Sequence, residues 1–281
     1  METRVFKEFD AFATSVVGVD SKMLLRDPER RRWTIDRIDL PGIEFQIGRL
    51  GSGNIACGQA HSHFCMLYLP LTAGIEYRGN GSILDRDSFF ILYPDAEFCF
   101  ATKESHDWCL VSIPIEQFTE RGIASLSRPC RNARRNPVAV NQFQDILANV
   151  IAAATTYSEF EQSQAAHRAS SKLLDLLMPV PLQFHNVSRP TTGRPKITRD
   201  EIIYRSLAIL EEHRCKYPRV PELALACDVS ERTLRTVFRE YFGLGPSRFL
   251  QLRQLHDVRR VLWSADPDHA SVSQIMADCG V

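Results

Sequence analysis

Between residues 43 and 113 apolar side chains arrive in short bursts, some alternating with polar residues and some continuous. They fall over 43–47, 64–69, 75–77, 88–93, 97–100 and 108–113. Clusters of turn-forming residues separate them: Gly51-Ser52-Gly53-Asn54, Gly79-Asn80-Gly81 and Pro94-Asp95. Many short strands with turn chemistry between them predict an antiparallel sandwich or barrel. The Gly-Asn-Gly tract predicts a hairpin, because the tightest such turns need positive φ. Residues 1–36 are less patterned. Phe6, Phe9 and Phe12 recur every third residue and fit one face of a short helix. The run Arg30-Arg31-Arg32 sits among Asp27, Glu29 and Asp36 and reads as a solvated loop.

After Pro137 the period becomes helical. Asn141…Gln144 and Ser158…Glu161 both have the form of a capping box, in which two side chains satisfy free N–H groups at a helix start. The first predicts a helix to about Ala154, and the second one to Leu177, stopped by Pro179 and Pro181. This helical pair either packs against a second copy or covers one face of the β domain. Residues 185–196, HNVSRPTTGRPK, hold almost nothing apolar and read as a linker.

Thr198…Glu201 is a further capping box, opening a helix to about His213. Pro221 fits a first helical position, and Leu223, Ala224 and Cys227 form the inner face of a short helix over 222–227. Asp228 and Val229 make a tight turn, and Ser230 fits the N-cap of a helix over 231–242. On that helix Leu234, Val237, Phe238 and Phe242 form an apolar stripe, while Glu231, Arg232, Arg235, Thr236 and Arg239 lie opposite. A recognition helix needs this division. The stripe seats it, and long donors on the other side reach base edges while Ser230 and nearby N–H groups hold phosphate.

Charge supports this placement. The chain of 281 residues has a formal net charge of +0, which argues against a protein coated in basic charge. Residues 230–260, however, carry seven arginines against three acids, so the positive charge lies on the DNA-reading stretch. Eight cysteines show no C-x-x-C spacing and read as reduced, mostly buried thiols. The N-terminus lacks the apolar core of a secretory signal, and no apolar run reaches membrane-span length. A cytoplasmic protein is expected.

The stretch ELALACDVSERTLRTVFREYFGLGPSRFLQLRQLHDVRRVLWSAD resembles the DNA-binding domain of the AraC/XylS family of bacterial regulators. The likeness rests on Leu223-Ala224, Val229-Ser230, Leu234, Phe238, Gly243, Pro246-Ser247, Arg253, Leu255, Arg259 and Leu262. It implies two helix-turn-helix units joined by a long helix over 246–263, with base contacts from Arg232, Arg235 and Thr236. Asp228 stands where the family usually has Gly, and Asp tolerates left-handed backbone. Ser271…Gln274 opens what looks like the second unit, with Met276 for the usual Ala and Val281 for the usual Phe. The second unit is expected to lack its reading helix. Residues 264–281 are expected to be loosely held, with Ile275 and Met276 facing an absent core.

In the N-terminal domain His61-Ser62-His63, with Gly58 before it, partly matches the cupin metal motif; the glutamate that should follow is absent. Asp87, Pro94-Asp95 and His106 echo the second motif weakly. No metal site and no cofactor are expected. The domain resembles cupin-like effector domains, and a barrel of this size can hold one small molecule. Candidate effector-binding residues are His61, His63, Tyr68, Tyr93 and Trp108.

The expected fold class is α+β in two domains: an N-terminal cupin-like β-barrel or sandwich with following helices, and a C-terminal all-α helix-turn-helix domain whose second unit is incomplete. The expected divisions are 1–136 for sensing, 137–184 for the helical pair, 185–196 for the linker and 197–281 for DNA binding. The expected function is a non-enzymatic, homodimeric transcription regulator that binds double-stranded DNA, responds to a small-molecule effector and needs no membrane. Two rivals are a cupin-type metalloenzyme and a shortened partner that modulates full-length relatives.

Overall fold

The computed structural model of the chain describes residues 1–123, 126, 133–182, 197–213, 217–265 and 271–279. The expected linker lies outside them, as do Cys130 and Cys215. Along the N-terminal part run β1 (Glu2–Phe6), α1 (Phe9–Ala13), β2 (Val19–Arg26), β3 (Trp33–Leu40), β4 (Ile43–Leu50), β5 (Gly53–Ala60), β6 (Phe64–Pro70), β7 (Tyr77–Gly79), β8 (Ser82–Leu84), β9 (Ser88–Leu92), β10 (Glu97–Thr102), β11 (His106–Pro114), α2 (Ile115–Thr119) and β12 (Ala133–Arg135). Then come α3 (Pro137–Thr156), α4 (Gln164–Leu177), α5 (Pro179–Leu182), α6 (Arg199–Glu212), α7 (Val220–Ala226), α8 (Glu231–Phe242), α9 (Pro246–Ser264) and α10 (Val272–Asp278).

The strands form two antiparallel sheets, ordered β1-β3-β4-β11-β6-β9-β12 and β2-β5-β10-β7-β8. This is the α+β class expected, with helices on both sides of a two-sheet body. Between the sheets lies an aromatic core including Phe9, Trp33, Tyr68, Phe90, Phe100 and Trp108. The stretch that gave no clear pattern is part of it: Phe9 and Phe12 of α1 are fully buried there. The Arg30-Arg31-Arg32 run is an exposed loop between β2 and β3.

The continuous apolar runs have a simple cause. Strand β9 is buried at every position, and β11 at all but Asp107 and Pro114, because the seven-stranded sheet is covered on both faces. Helices α3 and α4 pack on its outer face, with Phe143 set 6.2 Å from Phe45 and 6.3 Å from Phe89 between ring centroids. The helical pair thus covers one face of its own sheet.

Its helix starts differ from expectation. Asn136 caps α3, accepting from the Ala139 N–H at 3.1 Å, with Pro137 at the first position. Asn141 therefore lies inside the helix, since Asn followed by Pro is the stronger start. Ser163, not Ser158, caps α4. A 3-10 turn, Phe160–Gln162, comes first and buries Phe160.

Hairpin β7–β8 turns through Asn80 (φ 43°) and Gly81 (φ 73°), which are the two positive φ values of a type I′ turn. Its tip touches the C-terminal helices: a Cβ on Gly81 would sit 2.8 Å from the Tyr241 ring. Ile55, Cys99 and Ala101, from the outer face of the five-stranded sheet, belong to one buried cluster with α6–α9.

Candidate nucleic-acid interface

Helix α6 begins as the sequence predicts, with Thr198 Oγ1 accepting from the Glu201 N–H at 3.1 Å. Helix α7 starts at Val220, with the Glu222 carboxylate accepting from the Arg219 N–H at 2.8 Å. The link to α8 is tight. Asp228 takes left-handed backbone, φ 55°. Its N–H donates to the Leu225 carbonyl, and that of Val229 to the Ala224 carbonyl, both at 3.0 Å. These bonds satisfy the free carbonyls at the end of α7. Beneath the turn the buried Ser206 hydroxyl meets Cys227 Sγ at 3.2 Å.

Helix α8 spans Glu231–Phe242 and is capped by Ser230, whose Oγ accepts from the Thr233 N–H at 3.1 Å. Leu234, Val237, Phe238, Tyr241 and Phe242 are buried. Phe238 packs edge-on to Phe242 and Phe249, and Phe242 stacks on Phe249 with centroids 4.6 Å apart. Gly243 ends the helix in the left-handed conformation.

Ser230, Glu231, Arg232, Arg235, Thr236 and Arg239 are all exposed. Arg235 is paired with Glu231, one turn earlier, at 3.1 Å, and the Thr236 hydroxyl donates to the Arg232 carbonyl at 2.9 Å. Among the described residues the Arg232 and Arg239 side chains have no hydrogen-bonding or ionic partner. Since Ser230 Oγ already accepts within the cap, an anion at this end of α8 would meet backbone N–H groups and the positive end of the helix dipole. The six side chains thus share one accessible face, about 14 Å of the length of α8. It can take phosphate at its start and offer two unpaired guanidinium groups to acceptors along its length.

The far end of α8 is held by the β domain. Arg78 Nη1 donates to the Glu240 carbonyl at 2.7 Å, and Arg26 Nη1 to the Phe242 carbonyl at 2.9 Å. The sequence offers no signal for these two residues, which lie on strands far earlier in the chain. Between the two parts is an open cleft of about 750 Å³ whose lining includes Met23, Cys57, Tyr204, Leu207, Phe249 and Trp263. Glu211 on its wall accepts from Lys22 and, at 2.5 Å, from Arg253. Burial pushes its carboxyl up, but those two cations outweigh it and hold the group at about 2. His256 Nε2 accepts from the Leu25 N–H at 2.6 Å, and burial keeps the imidazole below its usual range.

The five effector-binding candidates do not form one site. Tyr68 and Trp108 do face the barrel interior, where the Tyr68 ring stacks on Phe100 and on Trp108. Their rings leave a void of only about 40 Å³. Tyr93 faces the other side of its sheet, where its hydroxyl donates to the Pro181 carbonyl at 3.0 Å. His61 and His63 are exposed in the turn before β6, not on the strand. His106 is buried inside the barrel against Tyr77, away from both. Among the described residues no three His, Cys, Asp or Glu side chains converge as metal ligands.

Ile275 and Met276 also differ from expectation. Ile275 is buried with Cys279 against Val258 of α9, and Met276 packs on the same small cluster. The cap at Ser271 forms as predicted, accepting from the Gln274 N–H at 3.2 Å. No helix among the described residues is long and apolar enough to cross a membrane.

No family model matches the sequence, and no curated protein sequence matches it. Among solved structures the chain is similar to an AraC-like transcriptional activator, CuxR, at 8% identity and a TM-score of 0.47, covering 99% of this chain and 100% of that one. It is similar to ToxT from Vibrio cholerae, crystallised with an unsaturated fatty acid, at 7% identity and a TM-score of 0.29, covering 94% of this chain and 87% of that one. A cupin domain of Cnp3 from Schizosaccharomyces pombe matches at 16% identity and a TM-score of 0.25, covering 40% of this chain and 80% of that one.

Proposed function

We propose that this chain is a sequence-specific DNA-binding transcription regulator of the AraC type, cytoplasmic and without enzymatic activity, which enters a major groove with α8. One observation carries the reading. The arginine face of α8 is exposed while the stripe beneath it is buried against α6, α7 and α9. Arginine suits this role because its planar fork gives two hydrogen bonds to guanine O6 and N7. Arg235 is the central base-reading residue, with Arg232 and Thr236 beside it. Its pair with Glu231 is exposed and gives way at little cost.

The β domain acts as the sensing part. A small molecule does not fit the barrel void in this conformation, so the interdomain cleft is the better seat for an effector. A ligand there touches β2 and β5 on one side and α6 and α9 on the other. It biases the pose of α8 only through different affinity for two arrangements. Two copies bind as a homodimer to a site with two half-sites.

Selection of bound duplexes from a random pool, with the full chain as bait, tests the reading. An enriched sequence is expected. Arg235→Ala should then weaken binding to it by about 1–3 kcal/mol and relax preference at one position. An unenriched pool, or an unchanged preference in the variant, overturns it.

A further inference from the structure

Cys57 on β5 and Cys99 on β10 stand directly opposite each other in the sheet. Strand alternation puts both side chains on the outer face. Phe98, Phe100 and Ala56 point into the barrel, whereas Ile55, Cys99 and Ala101, with Cys57 beside them, point toward the C-terminal helices. The backbone of Cys99 fixes the kind of pair. Its N–H donates to Asn80 Oδ1 at 2.7 Å, and its carbonyl accepts from the Asn80 N–H at 2.9 Å. Both groups therefore point away from β5, which makes Cys57 and Cys99 a non-hydrogen-bonded pair. Such pairs have the closest Cα approach in an antiparallel sheet, about 4.5 Å. That lies within the range a disulfide spans, roughly 4.4–6.8 Å.

Their surroundings differ. Cys57 is half-buried and lines the open cleft. Cys99 is fully buried, close to Asp200 and Tyr204 of α6. Lys22 is the cross-strand neighbour of Cys57 on its other side and shares the same face. The other buried thiols of the β domain are placed differently. Cys65 is paired with Ile113, and Cys109 with Leu69 and Ile47.

We infer that Cys57 and Cys99 are a modification site that closes as a reversible disulfide when the protein meets hydrogen peroxide, at the seam on which α6 and α8 are seated. Cys57 reacts first because the cleft admits a small oxidant to it and not to Cys99. Cys57 gives up its thiol proton and the thiolate attacks one oxygen of hydrogen peroxide; the O–O bond breaks, and the departing hydroxide takes up that proton and leaves as water, so that Cys57 carries a sulfenic acid. Cys99 Sγ then attacks the Cys57 sulfur. Its proton and the sulfenic hydroxyl depart together as water, and the S–S bond forms. Two thiols and one peroxide become one disulfide and two waters. The linked sulfurs no longer fill the volume that two separate thiols fill beneath α6, so the packing of Tyr204 and Tyr241 on the sheet must adjust. This site goes beyond the regulator reading and does not rest on it.

The full chain, folded and reduced, is treated with hydrogen peroxide, alkylated and digested for mass spectrometry. The expected product joins the peptides bearing Cys57 and Cys99, is lighter by two hydrogens and disappears on dithiothreitol treatment. Cys57→Ser should abolish it. Cys99→Ser should leave Cys57 as a sulfenic acid trapped by dimedone. Amide exchange across α6 and α8 should change on oxidation and return on reduction. Absence of the linked peptide, or its formation only in urea, overturns the site. A linked peptide with unchanged exchange in both helices overturns its place in the seam. Neither readout involves DNA, so failure here leaves the DNA-binding reading to its own test.

Discussion

The Arg78 guanidinium, on the β7 strand, donates to the Glu240 carbonyl in the last turn of α8 at 2.7 Å. Glu76 braces the same guanidinium at 2.6 Å, and Arg26 serves the Phe242 carbonyl in the same way. The last carbonyls of a helix have no partner within it and carry the negative end of its dipole. Two cations from the β domain therefore complete a helix of the other domain. This is a direct mechanical link between the β domain and α8.

Replacing Arg78 by Ala should break that link while leaving each part folded. A hydrogen bond to a charged donor contributes about 1.5–3 kcal/mol, discounted here because the side chain is partly exposed. The expected result is faster amide exchange confined to the last turn of α8 and the tip of hairpin β7–β8. Uniform exchange changes across the chain would mean a general loss of stability and would reject the link.

The stripe and the face of α8 should separate cleanly under mutation. Phe238→Ala removes a fully buried ring that touches Phe242 and Phe249, so unfolding should be easier by about 3–5 kcal/mol. Arg232→Ala removes an exposed side chain and should stay within about 0.5 kcal/mol of the parent. Denaturant titration compares the two. A large stability loss in the arginine variant would show that its side chain packs against protein.

Much of this was legible in the chain, for identifiable reasons. Helix α8 was legible to the residue because Ser230 and Gly243 bracket a strong 3.6-residue period. The strands were legible where turn chemistry separates them. The start of α3 was misplaced because a capping pattern inside a helix looks the same as one at its end, and Asn136-Pro137 outcompetes it. The effector candidates are scattered over the fold for a different reason. Tyr68, Tyr93 and Trp108 are equally good as core, and only the side of the sheet each one faces separates them. Arg26, Arg78 and the Cys57–Cys99 pair could not be found at all, because their partners are set by the packing of distant segments.

Burial of His106 makes a pH prediction. The ring lies inside the barrel, with Nδ1 3.1 Å from Thr102 Oγ1 and 3.0 Å from the Glu104 carbonyl. Burial lowers its pKa to about 4, whereas the unfolded chain takes up a proton near ~6.5. The neutral ring is favoured in the fold, so this stabilisation is complete above about pH 6.5 and is lost as pH falls toward about 4. The shift corresponds to roughly 3 kcal/mol. Urea titrations from pH 7.5 to 4.5 should show stability falling, with a shallower fall for His106→Asn. Equal slopes in the two proteins would remove His106 as the cause.

Glu211 gives the opposite kind of test, because its carboxyl is held at about 2 by Lys22 and Arg253 against the pull of burial. A depressed carboxyl contributes stability that is present above its ordinary value, near ~4.3, and is lost as pH falls toward about 2. The seam it holds should therefore survive mild acid at pH 5 and loosen with salt instead, since Lys22 is 59% exposed and its ion pair is screened. Glu211→Gln leaves Arg253, whose side chain is only 11% exposed, without its anionic partner. That variant should show a loosened α6–β2 seam at low salt, matching the parent at high salt. Limited proteolysis over a salt series reads this directly. A parent seam that is indifferent to salt but opens at pH 5 would assign the latch to another group, with His256 the first to examine.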